Sequence, residues 1–374
     1  MPDIGSLIGL PVRPFLGPAS AGAGDQVELR TQVAALPRNE TIDVIRLFAA
    51  ASVVFVHASK SAGLVSFCHS LRFAVPFFLF ASLYYQSLSL RRNPDRSLGG
   101  YIWARVKRLY FPFLAWSLIY LVARNFKRIT MLNADTIKLR PALLWTGTEY
   151  HLYFLPLLLV FSVLLVVIHW VLLRRDRRWR WPLIVLAVGA GFLFALAPIP
   201  SSWDERFVLV LDGRILSDNP TYAFMWGWRA LPAAFWAMAF AWLMTAGPVV
   251  YSIPISMGLA GIALTIFCSV QQAMHGIMLI PRALTGLGSF MAALAPWNWS
   301  GPTFAILARW GRYGYGIYLC HVLVVEAVRA LAARLLHLET SVPLDLGIFI
   351  LGFLGSVMLV SIIGKSPRLA WLNG

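Results

Sequence analysis

Apolar stretches of about 17 to 25 residues recur along almost the whole chain, the length a helix needs to cross a hydrocarbon layer. Only 13% of the 374 residues are charged while 59% are hydrophobic, against roughly a quarter charged in a soluble domain. No single water-soluble core could hide that much apolar surface. The pattern predicts an all-α polytopic membrane protein with about ten transmembrane helices. They centre in 42–59, 72–90, 109–123, 151–173, 182–199, 221–246, 249–268, 273–295, 312–335 and 343–363. Residues 1–40, rich in Gly, Ala and Pro without an apolar period, are expected to be a flexible cytoplasmic tail, and 41–374 the membrane domain. The tail lacks the basic start and short apolar core of a signal peptide.

A formal net charge of +16 would point to nucleic acid in a soluble protein. Here the Lys and Arg residues sit in short runs between apolar segments, so they read as topology signals, with lipid as the surroundings and no nucleic-acid partner. With the tail inside, the inner loops collect eighteen Lys and Arg residues and the outer loops eleven. Both termini are therefore expected to be cytoplasmic. Two outer loops carry most of the polar variety, 124–150 and 201–220, the second with Asp204, Glu205, Asp212 and Asp218. Cys68, Cys268 and Cys320 are widely spaced in apolar sequence and imply neither a disulfide framework nor a zinc ribbon.

Ionisable groups inside membrane segments cost a few kcal/mol on insertion scales and call for a partner or a function. The first predicted helix holds three. Asp43 and Arg46, three apart, can pair on one face. Arg46 and His57, eleven apart, return to within roughly 20° of one stripe, about 16 Å apart along the axis. Two readings are open: one elongated site, or an interfacial ion pair with His57 closing the outer end of the helix.

Other polar groups also carry two readings. Arg91, Arg92, Arg96, Arg105, Lys107 and Arg108 precede a Pro-bearing aromatic helix start, as phosphate ligands or as a positive-inside anchor. Glu149 and His151 stand where the fourth helix begins, as an oriented imidazole or a solvated helix start. His321 and Glu326 lie in apolar sequence but, five apart, do not share a face. Arg229 and Arg282 either line a polar cavity or snorkel to an interface. His169, His275 and His337 have no acidic or cysteine neighbour at ligand spacing and no His-Glu-x-x-His pattern exists, so no catalytic metal is expected, and no nucleotide loop or nucleophile elbow is present.

The run from Ile42 to His57, with Asp43, Arg46 and then His57, resembles the first-helix motif of acyltransferase family 3. The likeness continues at PFFLFASLYY (76–85), KRLYFPFLAWSL (107–118), EYHLYFLPLLLVF (149–161) and WGRYGYGIYLCH (310–321), in the family's order over about residues 40–363. One departure is Ala81-Ser82 where the family usually has Ser-Gly. The resemblance implies a ten-helix membrane enzyme of the bacterial cytoplasmic membrane with no bound cofactor. Acyl-coenzyme A, commonly acetyl-coenzyme A, would donate from the inner side to a hydroxyl of a saccharide or lipid-linked saccharide. His57 would then be the general base, and Arg46, oriented by Asp43, would bind the coenzyme with Arg105, Lys107 and Arg108. Glu149 and His151 would stand at the acceptor. A transporter or flippase of a lipid-linked sugar, with no acyl transfer, is the competing expectation, and a silent scaffold in a polysaccharide assembly a third. No inverted repeat of broken helices supports the transporter.

Overall fold

The computed structural model describes residues 39–130, 143–198, 220–245, 253–335 and 340–373. Residues 1–38 of the predicted tail and 201–219 of the acidic outer loop lie outside them. Among the described residues the chain is helical throughout, with no strand. Eight helices are long and apolar enough to cross a membrane: Glu40–Ala58, Ala62–Arg92, Leu98–Phe126, Tyr150–Leu173, Arg177–Leu196, Ile255–His275, Gly314–Arg334 and Val342–Lys365. The other two predicted segments fall on Pro220–Met244, a 25-residue helix containing Pro232, and on the shorter apolar helix Leu279–Leu294. The chain is thus an integral, polytopic, all-α membrane protein.

We number the α-helices in chain order. The first is α1 (Glu40–Ala58); α2 is Val65–Ser70 and α3 Ala74–Arg92. Next come α4 (Leu98–Arg105), α5 (Phe111–Thr130) and the single turn α6 (Leu143–Thr146). They are followed by α7 (Phe154–Ile168), α8 (Arg180–Leu196), α9 (Pro220–Met244), α10 (Ile255–His275) and α11 (Leu279–Leu294). The last three are α12 (Pro302–Gly311), α13 (Gly314–Leu335) and α14 (Val342–Lys365).

Helix α1 is the axis of the fold. In its most apolar stretch 61% of the residues are buried, against 17% for the 177–196 helix, and its Asp43 is buried while Glu40 is exposed. It packs against α3, α11, α12, α13 and α14. Its start is set by Asn39, whose Oδ1 accepts from the Ile42 N–H (3.2 Å) while its Nδ2 donates to the Ala293 carbonyl on α11 (3.2 Å). Glu40 and Asp43 in the first turn complement the helix dipole. At the far end the orphan carbonyls of His57 and Ala58 accept from Arg329 Nη2 on α13, at 3.1 and 2.8 Å. Glu326 balances that guanidinium at 2.6 Å. Buried Asp345, on α14, then accepts the N–H groups of Lys60 (2.9 Å) and Ser61 (2.7 Å) and the Ser61 hydroxyl, fixing the exit.

Helix α12 lies directly on the α1 backbone because Gly311 has no side chain: an ideal Cβ there would stand 1.7 Å from the Asp43 carbonyl oxygen. Since the obstacle is backbone, no rotamer change relieves it. Gly311→Ala is expected to force α12 away from α1 and lower stability by about 3 kcal/mol, the upper end of overpacking costs. Thermal unfolding in detergent reads that loss.

Two π-helical turns interrupt long helices, Val106–Tyr110 and His169–Leu173. The first has a visible cause. Pro112 lacks the N–H that would reach back to the Arg108 carbonyl, and Phe111 N–H bonds Val106 instead. The Arg108 carbonyl is met by the Tyr315 hydroxyl at 3.5 Å. The turn leaves Lys107 and Arg108 exposed at the head of α5, and such π-turns recur at functional sites.

Candidate active site

His57 sits in the last turn of α1, at a cavity of about 250 Å³ lined by His57, Val53, Tyr150, His151 and Tyr318 together with Arg72, Trp226 and Arg282. Its backbone is held from below by Arg329, so the ring has a fixed origin. The imidazole turns inward. Its Nδ1 lies 2.5 Å from the Tyr150 hydroxyl, and either atom can donate according to the tautomer. The reading of His57 as a mere surface cap of α1 is therefore replaced: the cap is Ser59, and His57 faces protein groups.

Tyr150 and His151 arrive there through a tight turn. Gly147 adopts φ +72°, and a Cβ on it would stand 2.8 Å from Leu152 Cβ, so glycine is required twice over. The Thr148 hydroxyl donates to the Ser117 carbonyl at 2.6 Å, and a 3₁₀ turn over Tyr150–Tyr153 carries both rings inward before α7 starts. His151 is buried, its ring 5.5 Å from that of Tyr120 and 5.6 Å from that of Tyr318.

A third imidazole completes the group. The ring of His321, on α13, lies 5.0 Å from that of His57 and 4.9 Å from that of His151, with 6.2 Å between the latter two. The His321 Nδ1 lies 2.7 Å from the Tyr318 carbonyl. A carbonyl only accepts, so Nδ1 carries the proton and a neutral His321 keeps Nε2 as a lone acceptor. That Nε2 is buried with no hydrogen-bond partner. Tyr318, one helical turn earlier, donates its hydroxyl to the His151 carbonyl and so ties α13 to the start of α7. Tyr120 does the same from α5, donating to the Leu319 carbonyl at 2.8 Å. Among the described residues no group of three His, Cys, Asp or Glu side chains is arranged to hold a metal ion.

The sequence-predicted residues divide between two places. His57 and His151 meet at the cavity. Glu149 does not join them: its buried carboxylate is bound to Arg124 on α5, so it anchors the turn and does not orient the neighbouring imidazole. Asp43 and Arg46 form the expected ion pair at 3.1 Å, with Asp43 buried and Arg46 partly exposed. The Arg46 guanidinium lies 5.5 Å from the Tyr85 ring on α3. Arg105, Lys107 and Arg108 do not line the cavity. The Arg108 backbone is tied toward the Arg46 end, because Gly314 packs on the Arg46 backbone and the adjacent Tyr315 hydroxyl donates to the Arg108 carbonyl. Lys107 stands 5.8 Å from the Trp103 ring.

Tyr150, Tyr318, Arg329 and Asp345 were not legible as site residues. The first two lie inside the aromatic blocks, Tyr150 next to His151 and Tyr318 one turn before His321, where closeness to a histidine is the only available signal. Arg329 and Asp345 look like loop and helix-end charges until their partners, more than 270 positions away in sequence, are known.

No curated protein and no solved structure matches the chain. The profile of acyltransferase family 3, described as an acyltransferase domain, matches residues 39–362, which hold both the imidazole cluster and the Arg46 end. A match that spans all but the ends of the chain identifies this protein as a member of the acyltransferase family 3 and as an acyltransferase.

Proposed function

We propose that the protein is an O-acyltransferase of the bacterial cytoplasmic membrane that moves an acyl group, acetyl foremost, from acyl-coenzyme A to a hydroxyl of a saccharide or lipid-linked saccharide. The observation that carries the reading is His57 at the cavity with its Nδ1 held by Tyr150. When Nδ1–H donates to the Tyr150 oxygen, Nε2 is left as the acceptor for a substrate proton. A sugar hydroxyl is a weak nucleophile at neutral pH and needs such a base in the transition state.

In the reaction His57 takes the hydroxyl proton as the oxygen attacks the thioester carbonyl carbon. The tetrahedral intermediate collapses with cleavage of the C–S bond, and the proton passes to the departing thiolate as free coenzyme A. The oxyanion requires a donor, as in other acyl transfers. Tyr150 is a positioning residue that fixes the imidazole.

Arg46, with Asp43 setting its direction, and Arg105, Lys107 and Arg108 bind the polyanionic coenzyme, since guanidinium forks match phosphate geometry. Helix α1 joins the two ends along one stripe, with Ala50 and Val53 between Arg46 and His57. His151, on the cavity wall, faces the acceptor.

The test is purified protein in nanodiscs with labelled acetyl-coenzyme A and a mixture of saccharides. Thiol release that depends on added saccharide, with the label recovered in an ester-linked sugar by mass spectrometry, is the expected result. Saccharide movement across sealed vesicles with no acyl donor present, and no thiol released when one is added, would give the chain to transport instead.

A further inference from the structure

Beside His57 the cavity carries a positive charge that base catalysis does not use. Arg282, in the first turn of α11, is only 3% exposed, and lines the cavity. Its Nε and Nη1 are buried with no hydrogen-bond partner, and among the described residues no carboxylate forms an ion pair with it. Arg72 lines the same cavity from the turn before α3. Both guanidinium groups stand over one indole, that of Trp226: Arg72 at 5.0 Å and Arg282 at 5.1 Å, with Arg229 over the same ring at 5.0 Å.

An aromatic face attracts a cation, but it offers the guanidinium of Arg282 no hydrogen-bond acceptor. A guanidinium buried with two of its nitrogens unsatisfied is costly in a membrane domain unless something negative meets it. Among the described residues the buried or paired carboxylates are engaged elsewhere, Glu149 with Arg124, Glu326 with Arg329, and Asp345 with the Lys60 and Ser61 amides. The acceptor that satisfies Arg282 therefore comes with the ligand.

We propose that the cavity takes an acceptor carrying an oxyanion, a carboxylate or a phosphate, near the hydroxyl to be acylated, with Arg282 as the anion-binding residue and Arg72 beside it. This rests on the acyl-transfer reading of the same cavity and narrows its substrate class from saccharides in general to acidic or phosphate-bearing ones. The imidazole of His57 and the guanidinium of Arg282 then contact different parts of one acceptor. The coenzyme phosphates stay at the Arg46 end.

The experiment measures binding of three probes to the full chain in nanodiscs by calorimetry: methyl glucuronoside, glucose 1-phosphate and the neutral methyl glucoside. At least one charged probe is expected to bind about ten-fold or more tighter than the neutral one, the scale of a charge-assisted hydrogen bond inside a protein. Which of them does so tells carboxylate from phosphate. Arg282→Gln is expected to remove the preference, and Arg282→Lys to keep part of it. Equal binding of all three probes, no binding of either charged probe, or a preference that survives in Arg282→Gln overturns the proposal. So does a matching loss of coenzyme A affinity in Arg282→Gln, which would put the donor in this cavity. The wild-type comparison needs no variant, so a misfolded substitution does not blunt the test. Thiol release from acetyl-coenzyme A is followed separately: its absence with every acceptor would fail the acyl-transfer reading and leave the anion preference standing.

Discussion

His57→Ala is expected to lower acceptor-dependent thiol release by about 100- to 10,000-fold, the contribution typical of a positioned general base, while leaving coenzyme A affinity within about two-fold because the proposed phosphate contacts are at the Arg46 end. The ring is half-buried and meets Tyr150, His151 and His321, so its removal opens space without taking away the backbone clamp. Arg329 holds the His57 carbonyl, not its side chain, and that contact survives in alanine. Unchanged thermal unfolding with lost activity is thus the expected pair of results. Full activity in a well-folded His57→Ala protein would move the base to His321, whose Nε2 is the other acceptor in the cluster. Tyr150→Phe keeps the ring volume and removes the hydroxyl that fixes Nδ1. It is expected to cost about ten-fold in kcat with little change in KM, and to shift the acidic limb of the pH–rate profile, which a purely structural role would not do.

The membrane fold was legible because hydrocarbon is an undemanding judge of sequence: a run of apolar residues of the right length is a helix there whatever its neighbours. The α1 stripe was legible for the same reason, since Asp43, Arg46 and His57 stand out against an apolar background and helical geometry fixes their spacing. What the sequence leaves out is convergence between distant segments. His57, His151 and His321 are separated by 94 and 170 positions, and no local period brings them to one point. Their meeting depends on Gly147 turning the chain before α7 and on Gly311 letting α12 lie on α1. Both glycines sit in blocks that read as helix starts. The pairing of Glu149 with Arg124 was illegible on the same ground, because the two stand 25 positions apart with no local signal to join them.

Arg46→Ala is expected to raise the KM for acetyl-coenzyme A by about ten- to hundred-fold, the loss of a charge-assisted fork to phosphate, with kcat changed far less. The separation follows from geometry: three helical turns, about 16 Å, lie between Arg46 and His57 along α1, too far for the guanidinium to touch the atoms that His57 serves. A coenzyme bound by its phosphates at one end of α1 and reacting at the other divides affinity from chemistry, and the two kinetic constants report them separately. Removing Arg46 also takes an ion pair from buried Asp43, which destabilises by itself. The double variant Asp43→Asn/Arg46→Ala restores that balance without restoring the fork, and its KM should stay high. Arg46→Lys keeps the charge as a point and should fall between. A fall in kcat at constant KM would instead bring Arg46 to the thioester carbonyl, and the two ends of α1 would then form a single reaction centre rather than a donor anchor and a base.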